Sequence, residues 1–179
     1  MGLDTTVYSG LQLARATDHF NEVDGQVWVY VNPNFVRNAG GLVTGLYTAE
    51  KRWPGASISY MGHSRMRDHL TQAIHGMDCT AFNHLTWTDP SVFERAFGWL
   101  IAMSDCEGVI GGDHCVSLAR DFAEHAGVIR SYANALPMGE ATSSIGLVPY
   151  SHGDAFLRWC EKWEVSLINA GDHGGVVFQ

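Results

Sequence analysis

From residue 64 onward, apolar residues recur at three- and four-residue spacings, the period of a helix with one buried face. In "SRMRDHLTQAIHG", Met66, Leu70, Ala73 and Ile74 fall on one side and Gly76 is a stop signal. In "DPSVFERAFGWLIAMSD", Asp89 is placed to cap and Pro90 to fill the first turn, with Val92, Phe93, Ala96, Phe97, Leu100 and Met103 as the stripe. Asp113 caps a third run whose Cys115, Leu118, Ala119, Phe122 and Ala126 share a face, and 127–136 extend it past Gly127. Ser151 and Asp154 resemble a capping box before "AFLRWCEKWEVSLINAG", where Phe156, Trp159, Cys160, Trp163 and Leu167 point inward. The first sixty residues instead alternate, or run, in strand formers. Strands are predicted near 3–9, 26–31 and 56–61, with "GGVVFQ" as a last short one. Residues 35–55 read as a long glycine-rich connection with a short hairpin, and 103–112 and 137–149 as loops. The pattern predicts a single α+β domain over 1–179: about four helices packed on a small, mostly antiparallel sheet that joins the N- and C-terminal strands.

Composition narrows the function classes. The 179 residues suffice for one core, and the net charge of −8 argues against a nucleic-acid polymer as partner, because phosphates need clustered Lys and Arg. No run approaches eighteen apolar residues, so no membrane partner is expected. The start, "MGLDTTVYSG", has neither a basic end nor an apolar run. Cys79, Cys106, Cys115 and Cys160 are spread without a CxxC pair and read as reduced thiols, Cys115 and Cys160 as core. A cytoplasmic location follows as the expectation, in a host cell if the chain is phage-encoded.

Two stretches hold candidate chemistry. In "MSDCEGVIGGDH", Asp105 follows a predicted helix C-terminus, where an anion is disfavoured, and Glu107 comes two residues later. A plain structural role for these acids, as caps or partners of Arg65, Arg67 or Arg120, weighs as much as a functional one. Cys106 as a nucleophile would need a lowered pKa, which the flanking acids oppose. Cys106, His114 and Cys115 are conceivable metal ligands, but the nine histidines form no tight zinc spacing, and neither metal nor cofactor is expected. Asp113–His114 and Asp172–His173 both adjoin paired glycines, a short echo. The second stretch, "SYMGHSRMRDHL", joins a strand end to a helix start. There Tyr60 could stack on a ring, and Arg65 and Arg67 could hold an anion. Caps and surface ion pairs are the competing reading. The predicted ligand-binding set is Tyr60, His63, Arg65 and Arg67 together with Ser104, Asp105, Cys106 and Glu107, provided that the two stretches fold side by side.

With these segments named, the chain resembles a family of small uncharacterised proteins of phages, prophages and bacteria. The resemblance rests on "GLDTTVYSGL" (2–11), "VYVNPNF" (29–35), "SYMGHSRMRDHL" (59–70), "MSDCEGVIGGDHCVSLARDFAEH" (103–125) and "DHGGVVF" (172–178), in order over nearly the whole chain. Its most specific piece is Ser104–Gly108 followed by a helix with Leu118, Asp121 and Phe122. Met61 stands where the family usually has a small polar residue, and His114–Cys115 is local to this chain, which weakens a metal or thiol role for that pair. The resemblance implies architecture and a phage context, and no reaction.

The leading expectation is a phage-type binding protein for a small polar or nucleotide-like ligand, sequestering a host signal, as a homo-oligomer. The runner-up is a small hydrolase or transferase with Asp105 or Glu107 as general base, aided by Cys106 or a histidine. The third is an interaction protein that blocks a host complex, for which the six tryptophans could supply an aromatic patch.

Overall fold

The computed structural model describes residues 2–17, 25–103, 107–143 and 146–178. In chain order these hold β1 (Gly2–Leu3), β2 (Thr5–Ser9), β3 (Gln12–Ala16), β4 (Val27–Val29), a 3-10 helix (Pro33–Ala39), β5 (Gly45–Thr48), β6 (Lys51–Pro54) and β7 (Ile58–Ser59). Then follow α1 (Tyr60–His75), α2 (Cys79–Thr88), a second 3-10 helix (Pro90–Glu94), α3 (Gly98–Ala102), β8 (Gly108–Gly111) and α4 (Gly112–Ala135). β9 (Met138–Ser143), β10 (Gly146–Ser151), α5 (His152–Ala170) and β11 (Gly175–Phe178) complete the chain.

The central sheet runs β6–β2–β11–β8, with its pairings antiparallel. The C-terminal strand thus sits between an N-terminal strand and one from the middle of the chain. "GVVF" is buried at every position because both faces of this sheet are covered. Val7, Ile110, Val176 and Phe178 pack into the large core under α1, α4 and α5. Tyr8, Val109 and Val177 face the other way, toward Val29, Ala39 and Tyr47, where the three-stranded sheet β3–β5–β4 lies. The chain is therefore an α+β fold whose sheet joins its two ends, as the hydrophobic pattern predicts. Among the described residues no helix is long and apolar enough to cross a membrane.

Five details differ from the expectations drawn from the sequence. Residues 108–111, read as loop, form β8, the end strand of the central sheet, buried along its length. The predicted helix over 89–105 is broken into a 3-10 turn and the short α3. Phe97 stands at φ 61, its N–H donating to Asp121 Oδ2 at 2.7 Å, and its ring is fully buried edge-on to Phe122. A Cβ on Gly98 would strike the carbonyls of Val92 and Phe93, so the chain turns back on itself there. Burial of Phe97 outweighs the left-handed backbone it requires. α2 has no counterpart in the reading, although Asp78 caps it by accepting from Ala81 N at 2.8 Å. Where a loop is predicted, Met138–Ser143 and Gly146–Ser151 pair as β9 and β10, and 45–48 and 51–54 are strands that pair with different partners, not with each other. By contrast α4 does continue through Gly127, and α5 and β11 fall where expected.

The echo of "GGDH" and "DHGG" has a structural meaning. Gly111 pairs with Gly175 across β8–β11, and a Cβ on Gly112 would collide with the Asp172 backbone. Both turns are glycine because two backbones pass in contact. Gly112→Ala is expected to destabilise the protein by about 1–3 kcal/mol, as overpacking does. The check is a lower urea midpoint at unchanged slope; an unchanged midpoint would mean that the turn can yield.

Candidate functional site

α1 begins with Ser59 as its cap, whose Oγ accepts from Gly62 N at 3.0 Å. A Cβ on Gly62 would press on Ile58 and Ser59, so this helix end is packed rather than open. Helical geometry then sends the predicted ligand residues apart. Arg65 is exposed and lines a hollow of about 270 Å³ with Asp68, His69 and His152. Arg67, two residues on and roughly 200° around the helix, is buried. Tyr60 is 42% exposed. Glu107 is exposed, and its carbonyl accepts from Asn32 Nδ2 at 3.1 Å. Ser104, Asp105 and Cys106 lie outside the described residues. The two stretches do come side by side, at His63 and Met103.

His63 is 3% exposed and its Nε2 lies 3.1 Å from Met103 O. A carbonyl only accepts, so Nε2 bears the hydrogen and Nδ1 is left as a buried acceptor, with no partner of its own. Burial, reinforced by the charge of Arg67 and opposed by the Met103 bond, pushes the imidazole down to about 4. Its ring lies among Trp163 and Phe178, with centroids 5.8 and 6.3 Å away. Beyond it, Arg67 is 7% exposed, and its Nε and Nη1 meet no acceptor. Burial lowers its pKa, while Cys79 and Asp68 raise it. Thr71 Oγ1 donates to Arg67 O at 2.7 Å. Cys79 Sγ faces Ile101 O at 3.9 Å and receives Asn83 Nδ2 at 3.8 Å, and burial pushes this thiol up. Asn83 Oδ1 is again buried without a donor.

Asn83 is also where this polar interior meets a surface cleft. A cavity of about 690 Å³ opens between the first 3-10 helix, α2 and the second 3-10 helix, and Asn83, Phe35, Trp87 and Phe93 line it with Asn34 and Arg37. Its walls are fixed by local chemistry. Asn32 caps the first 3-10 helix through Asn34 N at 2.9 Å and ties it to Glu107 by its other end. Asn38 Nδ2 donates to Trp99 O at 2.6 Å. The Arg37 guanidinium lies over the Phe93 ring at 5.7 Å, Phe93 stacks on Trp99 at 5.0 Å, and Trp99 stacks on His114 at 3.8 Å. His114 Nε2 closes the ladder on Arg37 O at 2.8 Å. Trp87, at the cleft, is 81% exposed.

That ladder occupies His114, while Cys115 turns into the core with its Sγ 3.3 Å from Ile110 O and its thiol pushed up to about 12 by burial. The two neighbours point apart and do not share a metal site. A second hollow, of about 590 Å³, is lined by the glycine turns of the echo with Glu50, Asp113, Asp172 and His173. Among the described residues no three His, Cys, Asp or Glu side chains group closely enough to hold a metal ion. The amide-rich "NPNFVRN" and the helix period in "CTAFNHLTW" were the signals that could have pointed to the cleft. No protein-family model matches the chain, and no curated protein or solved structure matches it either.

The neutral, buried His63 makes stability depend on pH with a definite sign. Its folded pKa lies below the unfolded value of 6.5, so the unfolded state takes up the proton first as pH falls. The contribution is complete above pH 6.5 and is lost between pH 6.5 and about 4, to an extent of about 3 kcal/mol. Gln keeps an amide at the position of Nε2 and does not titrate. Urea melts at pH 7 and pH 4.5 are expected to differ less in His63→Gln than in the wild type, and equal losses would reject this assignment.

Proposed function

We propose that the protein binds a small, planar, polar ligand of the nucleotide-like class in the cleft between the two 3-10 helices and α2. The observation that carries this reading is Asn83: an amide on the cleft with a buried oxygen that lacks a donor, between aromatic walls. A ring with an N–H edge would supply that donor, and it would stack against Trp87, Phe35 or Phe93. Arg37 adds a cation held in place by Phe93. Such a local cation matters because a chain with net charge −8 repels anions at long range. The phage context carried by the sequence resemblance belongs to the same proposal: a protein that holds a host signalling nucleotide removes it without needing to react with it.

Adenosine is the simplest probe, followed by quenching of tryptophan fluorescence. Trp87→Ala is expected to weaken its binding by about 1–3 kcal/mol, the range for loss of one stacking platform. Asn83→Ala is expected to weaken it by about 1–2 kcal/mol. Melting temperatures without ligand should change little for Trp87→Ala, whose side chain is largely in solvent. If neither substitution alters nucleoside binding, or none is measurable, the cleft is not the site.

A further inference from the structure

We infer that Arg67 is the counter-charge for an oxyanion, a phosphate- or carboxylate-class group of the cleft's ligand, seated between α1 and α2 behind Asn83. The inference rests on the cleft reading for the ligand's route of entry. A buried guanidinium is normally paired, because an isolated interior charge is costly. Arg67 has no ion pair among the described residues, and two of its nitrogens have no acceptor. Among the described residues, neither of the two groups that favour its charge forms an ion pair with it. Cys79 is buried and its thiol is held protonated, and Asp68 lines the outer hollow with Arg65.

The unsatisfied atoms around it also specify a guest. Arg67 Nε and Nη1 and Trp163 Nε1 are donors, and His63 Nδ1 and Asn83 Oδ1 are acceptors. Donors exceed acceptors and the net charge is positive, so the guest must be acceptor-rich and negative. Water would fill hydrogen bonds but leave the charge. Asn83 lines the cavity and touches Cys79 through a weak N–H···S contact of 3.8 Å, and Cys79 is near enough to act on the Arg67 charge, so the inferred entry is past Asn83. Turning that amide breaks no strong bond.

The experiment measures binding and melting of wild type, Arg67→Met and Arg67→Lys with adenosine, adenosine monophosphate and inorganic phosphate at matched ionic strength. The wild type is expected to bind the monophosphate about ten-fold more tightly than the nucleoside, and phosphate alone should raise its melting temperature. Arg67→Met should lose both effects yet melt no lower than the wild type, since it removes an unpaired buried charge. Arg67→Lys should keep part of the phosphate response, and it decides the matter if the Met variant does not fold. No phosphate or monophosphate effect beyond that of salt in the wild type overturns the inference. So does a monophosphate preference that survives in Arg67→Met. Nucleoside binding without a monophosphate preference rejects the oxyanion site and leaves the cleft reading standing. Phosphate stabilisation that needs Arg67, with no nucleoside binding, does the reverse.

Discussion

The strand Gly175–Phe178 is the constraint on which the rest depends. It pairs with β2 on one side and β8 on the other, so three distant parts of the chain must arrive together before the sheet exists. Its alternate side chains then serve two cores: Val176 and Phe178 go to the helices, Val177 to the smaller sheet. A one-residue slip would exchange these faces and expose both cores. The glycines at its entry follow from the same constraint. Gly175 lies between Gly111 and Tyr8, and Gly174 leaves no room for a Cβ beside the carbonyls of Tyr8 and Ala170.

Placing β8 in this way also fixes the segment before it. Met103 ends α3, and the His63 imidazole binds its carbonyl. Asn32 binds the carbonyl of Glu107, where the chain enters β8. The cleft is a consequence: the first 3-10 helix hangs from Asn32 and Asn38, and α2 and the second 3-10 helix face it across the cavity.

Much of the scaffold was legible because local and tertiary preferences agree there. α1, α4 and α5 have the helix period in sequence, with the Gly76 stop of α1 and the Ser151 cap and Gly171 stop of α5, and β11 has the continuous apolar run of a strand covered on both faces; Asp113, read as the cap of α4, lies instead in its first turn behind Gly111. Failures fall where tertiary contacts override local pattern. The stripe Val92–Met103 has helical spacing, but Asp121 on α4 takes the Phe97 N–H and the helix cannot continue. The stretch 108–111 has too many glycines to read as a strand, and tertiary structure explains them: Gly108 stands at φ 136 against the Met103 and Asn32 side chains, and Gly111 lies on the Ala39 backbone. Of the candidate site, the two stretches were legible as candidates, but neither their meeting nor the direction of each side chain was. Arg65 and Arg67 look alike in sequence, yet helix geometry puts one in solvent and the other in the interior.

The distribution of unsatisfied polar groups is itself informative. On the first 3-10 helix, the buried amides Asn32 and Asn38 are fastened to carbonyls, and the buried Thr5 is satisfied by Ala56 O. The same sequence therefore satisfies isolated buried polar groups where structure alone is at stake. Yet every buried orphan among the described residues lies on α1, α2 or α5, and four of the five atoms belong to His63, Arg67 and Asn83. Helix interiors leave few alternative partners, because the backbone groups there bond to each other. An apolar residue of similar size would fit these positions at lower cost. Concentrating the cost on His63, Arg67 and Asn83, the last of them at the cleft, supports the proposed binding of a polar guest, since a purely structural core avoids such orphans.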